Sequence, residues 1–133
     1  MSIRAKDLAF GFEKEDTEFS RIKNAIDSNL KKTSASYVFD YESDVSLVEL
    51  KSRRNTKDKY PDTMVGKNKL DHKSDKIKYF VFSFTDGLYY WKYNDKDLNN
   101  GNVIFRRGGR NDRGKPEWKD DYAYINTQIL IKI

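Results

Sequence analysis

The stretch Tyr37-Val38-Phe39-Asp40-Tyr41-Glu42-Ser43-Asp44-Val45-Ser46-Leu47-Val48-Glu49-Leu50-Lys51-Ser52-Arg53 holds two runs of β-forming residues around a short polar interval. Ser36 to Tyr41 and Val45 to Lys51 read as strands and Glu42-Ser43-Asp44 as the turn between them, so the segment predicts a hairpin. Glu49 and Lys51 stand two apart on the second strand and share a face, while Val48 and Leu50 point to the other. Alone, a Glu-x-Lys pair is more simply a surface ion pair, which strands carry routinely. Asp40 changes that reading. With Glu42 to Val45 as the turn, Tyr41 pairs with Ser46, and Asp40 lies opposite Leu47 as a diagonal neighbour of Glu49, roughly 7–8 Å away between Cα atoms. Two carboxylates at that reach can share a divalent cation, which relieves their repulsion. Asp44, the competing acid, would sit roughly 16 Å along the strand from Glu49 and on its other face, unless a bulge or another register brought it round. Lys51 beside such a cation can orient a water and help neutralise a phosphorane-like transition state.

Outward from the hairpin, Phe19, Ile22, Ile26 and Leu30 fall at i, i+3, i+7 and i+11 and predict a helix from about Asp16 to Lys31. Asp16 or Thr17 can cap it, Glu13, Glu15 and Glu18 crowd its positive end, and Lys31 and Lys32 sit at its negative end. Glu18 shares the i, i+4, i+8 stripe with Ile22 and Ile26, so it borders the buried face, where an acid is costly unless paired or metal-bound. It is a third candidate carboxylate; Glu15 is the neighbouring alternative, and an acid merely favoured by the helix dipole is the simpler reading. Lys51 to Pro61 reads as a basic loop. Pro61-Asp62-Thr63 predicts the start of a second helix reaching about Asp75, with Met64, Val65 and Leu70 inward and His72 on its surface. Tyr79 to Phe84 is an almost continuous apolar run, a central strand. Thr85-Asp86-Gly87 turns it into a returning strand, Leu88 to Tyr93, whose aromatic side chains are core before they are base-stacking groups. A polar loop to Gly101, a strand at Asn102 to Phe105, a glycine-rich basic loop from Arg106 to Lys119, and one or two strands over Tyr122 to Ile125 and Ile129 to Ile133 complete the chain. The order predicts an α/β or α+β layout, one sheet flanked by helices.

Composition narrows the chemistry. A chain of 133 residues has room for one domain and one core. Charged residues make up 35% and hydrophobic ones 37%, while 14% aromatics supply burial that a disordered chain lacks. There is no cysteine and one histidine, His72, which excludes disulfides, thiolate sites and histidine-cluster zinc sites. A catalytic metal would need oxygen ligands, which favours Mg²⁺ or Mn²⁺. No apolar run approaches the ~20 residues of a membrane span, and the first residues lack the apolar core of a signal peptide. A cytoplasmic protein with no membrane partner is expected.

A helix carrying an acid, a strand with Asp, a strand with Glu-x-Lys, then a helix and further strands resembles the PD-(D/E)xK phosphodiesterase superfamily over roughly Asp16 to Tyr93. Val48-Glu49-Leu50-Lys51-Ser52-Arg53 looks like its central signature; Phe39 stands where the motif name has Pro, and the interval from Asp40 to Glu49 is short. The resemblance implies a restriction-endonuclease-like αβββαβ core with a central mixed sheet. It implies Mg²⁺-dependent hydrolysis of nucleic-acid phosphodiesters by a metal-activated water without a covalent intermediate. Asp40, Glu49 and Glu18 would be the ligands and Lys51 would stand beside the water. Many members add a Gln or Lys from the second core helix, for which Lys67 and Lys69 are candidates and Asn68 a lesser one. Tyr60 to Lys69, Thr85 to Tyr90 and Asp112-Arg113-Gly114 are also similar to small standalone viral and phage members.

The formal net charge is +5 and the pI about 9.2. Its distribution says more than its size. Arg53, Arg54, Lys57 and Lys59 follow the Glu-x-Lys strand, and Arg106, Arg107, Arg110, Arg113 and Lys115 lie in the glycine-rich loop, which leaves the remainder near neutral or acidic. Either loop alone is as readily a solvated loop; both beside carboxylates lean toward nucleic-acid phosphates. DNA is the expected substrate, with RNA cleavage by the same fold or a non-catalytic nucleic-acid-binding module as alternatives. Specificity would come from substrate shape, a partner protein or a homodimer.

Overall fold

The computed structural model describes residues 17–107 and 122–133. In chain order these form helix α1 (17–25), strands β1 (Lys31–Lys32), β2 (Tyr41–Glu42), β3 (Ser46–Ser52) and β4 (Asp62–Gly66), and helix α2 (Lys67–Asp71). Strands β5 (Ile77–Phe84) and β6 (Gly87–Lys92), helix α3 (Asp95–Asn99), and strands β7 (Val103–Arg106), β8 (Tyr122–Asn126) and β9 (Ile131–Lys132) follow. Six strands make one sheet in the order β1-β2-β3-β5-β6-β9, and three make a second, β4-β8-β7. The large sheet is mixed, since β3 and β5 run parallel while the other pairs are antiparallel. This is the α+β architecture expected of a restriction-endonuclease-like fold.

The first helix buries the stripe its periodicity marks: Ile22 is buried, with Phe19 and Ile26 packed beside it, against Val48, Val81 and Leu88 of the large sheet. It ends earlier than Lys31, and Asp27 supplies the reason. Its carboxylate accepts the Asn29 N–H at 2.9 Å and the Ser43 hydroxyl, and the Leu30 N–H turns back to the Asp27 carbonyl at 3.3 Å. Asp competes for local backbone donors in this way and breaks helices. The Ser43 hydrogen bond, ahead of the Asn29 one, holds the Asp27 carboxyl below the ordinary carboxylate range. Lys31 and Lys32 are therefore an edge strand, not a last helical turn.

The β2–β3 hairpin forms in a different register from the one expected. Tyr41 pairs with Val48 and Glu42 with Leu47, where a four-residue turn would have paired Tyr41 with Ser46. Ser43 tightens the turn: its N–H reaches the Ser46 carbonyl at 2.9 Å, and its hydroxyl accepts the Ser46 N–H at 3.0 Å and the Val45 N–H at 3.3 Å. Asp44 and Val45 are left exposed at the tip.

A larger departure follows β3. Asp62–Gly66 is a strand, and only Lys67–Asp71 is helical. Thr63 and Val65 are buried on alternate positions of a five-residue ladder with β8, in which Thr63 faces Ile125 and Val65 faces Ala123. Met64, expected inward, is half-exposed. The β4–α2 unit is the crossover that parallel β3 and β5 require. The second face of the large sheet is consequently covered by the small sheet, not by a long helix: Leu47, Phe80, Phe82, Phe84 and Trp91 share a buried cluster with Val65, Leu70, Val103, Ala123 and Ile125. The β5–β6 hairpin forms as expected, with Phe84 opposite Gly87, which takes a φ of +147° that side chains disfavour.

Candidate active site

Glu49 sits in the middle of β3 and is 4% exposed. A carboxylate this deep needs partners, because an isolated buried charge is strongly unfavourable. It has two. Lys51 Nζ lies 3.0 Å from Oε1, and Lys69 Nζ lies 3.5 Å from Oε2. Lys51 reaches it because alternate strand positions share a face. Lys69 arrives from α2, where its ammonium also donates to the Val38 carbonyl and lies 5.9 Å from the centre of the Phe39 ring. Of the helix candidates, Lys69 is thus at the carboxylate. Lys67 instead pairs with Asp71 at 3.3 Å and lies over the Phe105 ring.

Asp40 joins β3 by its side chain. Its own N–H bonds the carbonyl of Val48, the residue already paired with Tyr41, so the strand bulges there. Its carbonyl turns away to the Thr33 N–H at 3.0 Å. The Leu50 N–H is taken by the Asp40 carboxylate, Oδ2, at 2.7 Å. Asp40 is therefore held at the level of Glu49, nearer in the ladder than the diagonal relation expected. Asp44 is at the hairpin tip.

Glu18, 7% exposed on α1, approaches from the opposite side of β3. With Asp40, Leu50 and Ser52 it lines a cavity of about 420 Å³ whose rim includes Lys32, Ser34 and Tyr37. Glu49 and Lys51 belong to the other face. The three acids consequently do not gather into one cluster: among the described residues no three His, Cys, Asp or Glu side chains are close enough to hold a metal. Asp40 lines the Glu18 cavity while its carboxylate is held at the Leu50 N–H, one residue from Glu49 along β3. Glu15 lies outside the described residues.

The basic residues divide. Arg53 leaves the end of β3 but turns inward, donating to the Thr63 hydroxyl at 3.2 Å and the Met64 carbonyl at 2.6 Å; burial lowers its pKa. It ties β3 to β4. Lys57 pairs with Asp58 at 2.6 Å and reaches the Thr127 carbonyl at 3.4 Å. Arg106 pairs with Asp62 at 3.0 Å and stacks on the Tyr124 ring at 4.3 Å. Arg54 and Arg107 are exposed, and Arg110 and Arg113 lie outside the described residues. His72, expected on a surface, is half-buried against the Phe39 ring at 5.5 Å and the Tyr37 ring at 6.1 Å.

A buried Glu thus stands between two lysines, on a strand joined by an Asp side chain. Residues 9–132 match the model of a family described as phage putative PDDEXK endonuclease. The chain belongs to that family. Nuclease chemistry is the activity that membership in a PDDEXK endonuclease family carries, and the match takes in all the described residues but Ile133. Searches of curated proteins and of solved structures return no match. No helix among the described residues is long and apolar enough to cross a membrane.

Sequence reasoning missed Lys32, Ser34 and Ser52 as cavity residues and Lys78 as a support. Lys78 is 7% exposed on β5, and its ammonium donates to the Leu70 carbonyl at 2.7 Å and to the His72 carbonyl. It anchors the end of the helix that carries Lys69. A lysine directly before an apolar strand run was the one available signal.

Proposed function

We propose that this chain is a metal-dependent nuclease, one domain over residues 1–133, that hydrolyses phosphodiester bonds of DNA by direct attack of water. The observation that carries the reading is the Glu49 carboxylate held between Lys51 at 3.0 Å and Lys69 at 3.5 Å, beside an Asp40 carboxylate fixed on the Leu50 N–H at 2.7 Å.

The donor set fits a hard cation. Asp40 and Glu49 offer carboxylate oxygens, and the chain has no thiol to favour a softer metal. These two would hold Mg²⁺ or Mn²⁺; Glu18, across β3 from Glu49, lines the cavity beside Asp40 and stands outside that pair. The bound cation supplies Lewis acidity, which lowers the pKa of water and offsets charge on the phosphate. Lys51 and Lys69 orient Glu49 before the cation arrives, and their charges substitute for its lost solvation. Lys51, whose side chain is partly exposed, can then donate to a water or a phosphate oxygen as negative charge develops. The Leu50 N–H fixes one oxygen of Asp40, so a ligand need not be ordered at the moment of binding. Exposed Arg54 and Arg107 are the described basic residues best placed in sequence to add phosphate contacts.

The test is cleavage of plasmid, linear, single-stranded and branched DNA, and of RNA, by wild type and Glu49→Ala with Mg²⁺, Mn²⁺ or EDTA. Metal-dependent cutting that disappears in the variant supports the proposal and names the substrate class. Absence of cutting on every substrate, together with no heat on titration with either metal, overturns it.

A further inference from the structure

A second cavity, of about 630 Å³, opens at the C-terminal end of α2. Its wall includes Lys73, Lys76, Lys78 and Lys92 with His72 and Tyr93, and none of the described acidic side chains lines it. Opposing charges stand around it: Glu42, 3.6 Å from Lys76, Asp71, which acts on Lys78, and Asp95, which hydrogen-bonds Tyr93. Four lysines around one opening make a site of positive potential where an anion is favoured.

Its position relates it to the active site. Lys78 pairs with Leu47 in the β3–β5 ladder and Phe80 with Glu49, so the buried lysine stands one strand over and two residues along from Glu49, about 8 Å between Cα atoms. His72 is on the wall of the lysine cavity, and its ring meets those of Tyr37 and Phe39, which line the Asp40 cavity. The two openings are thus neighbours across a short aromatic step, and Tyr37, 39% exposed, presents ring surface to solvent there. Successive phosphates of a nucleic-acid strand advance about 3.4 Å along a duplex axis, so a strand cut at Glu49 would carry its next few phosphates to this wall.

We propose that the lysine cavity is a phosphate subsite for the nucleic-acid strand flanking the cut, with Tyr37 and His72 as the stacking step between it and the Asp40–Glu49 pair. This rests on the nuclease reading and names where its substrate runs. Burial lowers the pKa of Lys78 against the opposing pull of Asp71, and a phosphate in the cavity would favour its charged form. Because Lys78 also anchors α2, the test uses exposed Lys73 and Lys92.

Binding of fluorescent oligonucleotides is measured in EDTA between about 50 and 200 mM salt for wild type, Lys73→Gln/Lys92→Gln, and a control pair, Lys96→Gln/Lys132→Gln. Loss of two phosphate contacts should flatten the dependence of log affinity on log salt by about 1.4 to 1.8, with no such change in the control. A slope in the first variant that moves no further than in the control, while wild type binds, overturns the subsite and leaves the nuclease reading standing. A wild type that binds no nucleic acid overturns both. A flattened slope in a protein that cuts nothing with Mg²⁺ or Mn²⁺ supports the subsite and removes the catalytic reading.

Discussion

Replacing Lys69 by Met should weaken the fold and strengthen cation binding at the same time. Lys69 Nζ is 3.5 Å from the Glu49 carboxylate, and the Lys69 side chain is 19% exposed against 5% for Glu49. At an effective dielectric near 20 the Coulomb attraction at that distance is about 5 kcal/mol. Most of it is offset by the cost of desolvating the ammonium, and Lys51 remains on Glu49, so the net loss should be about 1–3 kcal/mol. For a domain of this size that corresponds to a fall in Tm of roughly 4–12 °C, measured by circular dichroism in EDTA. Removing one like charge at contact range should, in the same variant, tighten Mg²⁺ or Mn²⁺ about 3- to 10-fold by calorimetry, and the metal should restore part of the lost Tm. A Tm in EDTA within a degree or so of wild type, or a weaker metal affinity, would refute the idea that the two lysines hold the place of a cation's charge at Glu49.

Asp40→Asn keeps an acceptor for the Leu50 N–H, so its Tm should change little, while cleavage falls by about 10² or more because a ligand carboxylate is gone; a matching loss of Tm would mean the role is structural. Arg53→Ala should cost about 1.5–3 kcal/mol in urea unfolding, as its part-buried guanidinium ties β3 to Thr63 and Met64. It should leave the salt dependence of nucleic-acid binding unchanged, and a flattened slope would return Arg53 to the phosphate contacts. Ser43→Ala removes the main cause of the lowered Asp27 pKa. A depressed carboxyl pKa stabilises the fold above the unfolded value, here 3.8, and that contribution is lost as pH falls through the folded value. The difference between wild type and variant should be present at neutral pH and shrink below about pH 4; a difference that grows in acid would contradict the assignment.

What could be read from the chain alone is what depends on near neighbours. The stripe of α1, the Glu49–Lys51 face of β3 and the β5–β6 hairpin each follow from a period of a few residues, and the fold class follows from their order. Lys69 came into view only through family resemblance, since nothing local distinguishes it from Lys67; tertiary packing separates them, sending one to Glu49 and the other to Asp71. The hairpin register turned on Ser43 capping its own turn. The helix expected from Pro61 became β4 because its partner, β8, lies some sixty residues further on, and a ladder with a distant strand outweighs a weak local helical pattern. Arg53 reads as a free cation in a polar loop, yet its partners come from β4, and Lys57, paired with neighbouring Asp58, also reaches across to Thr127. Charge and motif can be seen in one dimension, whereas desolvation, and with it the choice of which charges are spent inside the protein and which are left for a substrate, is decided only when distant segments close over them.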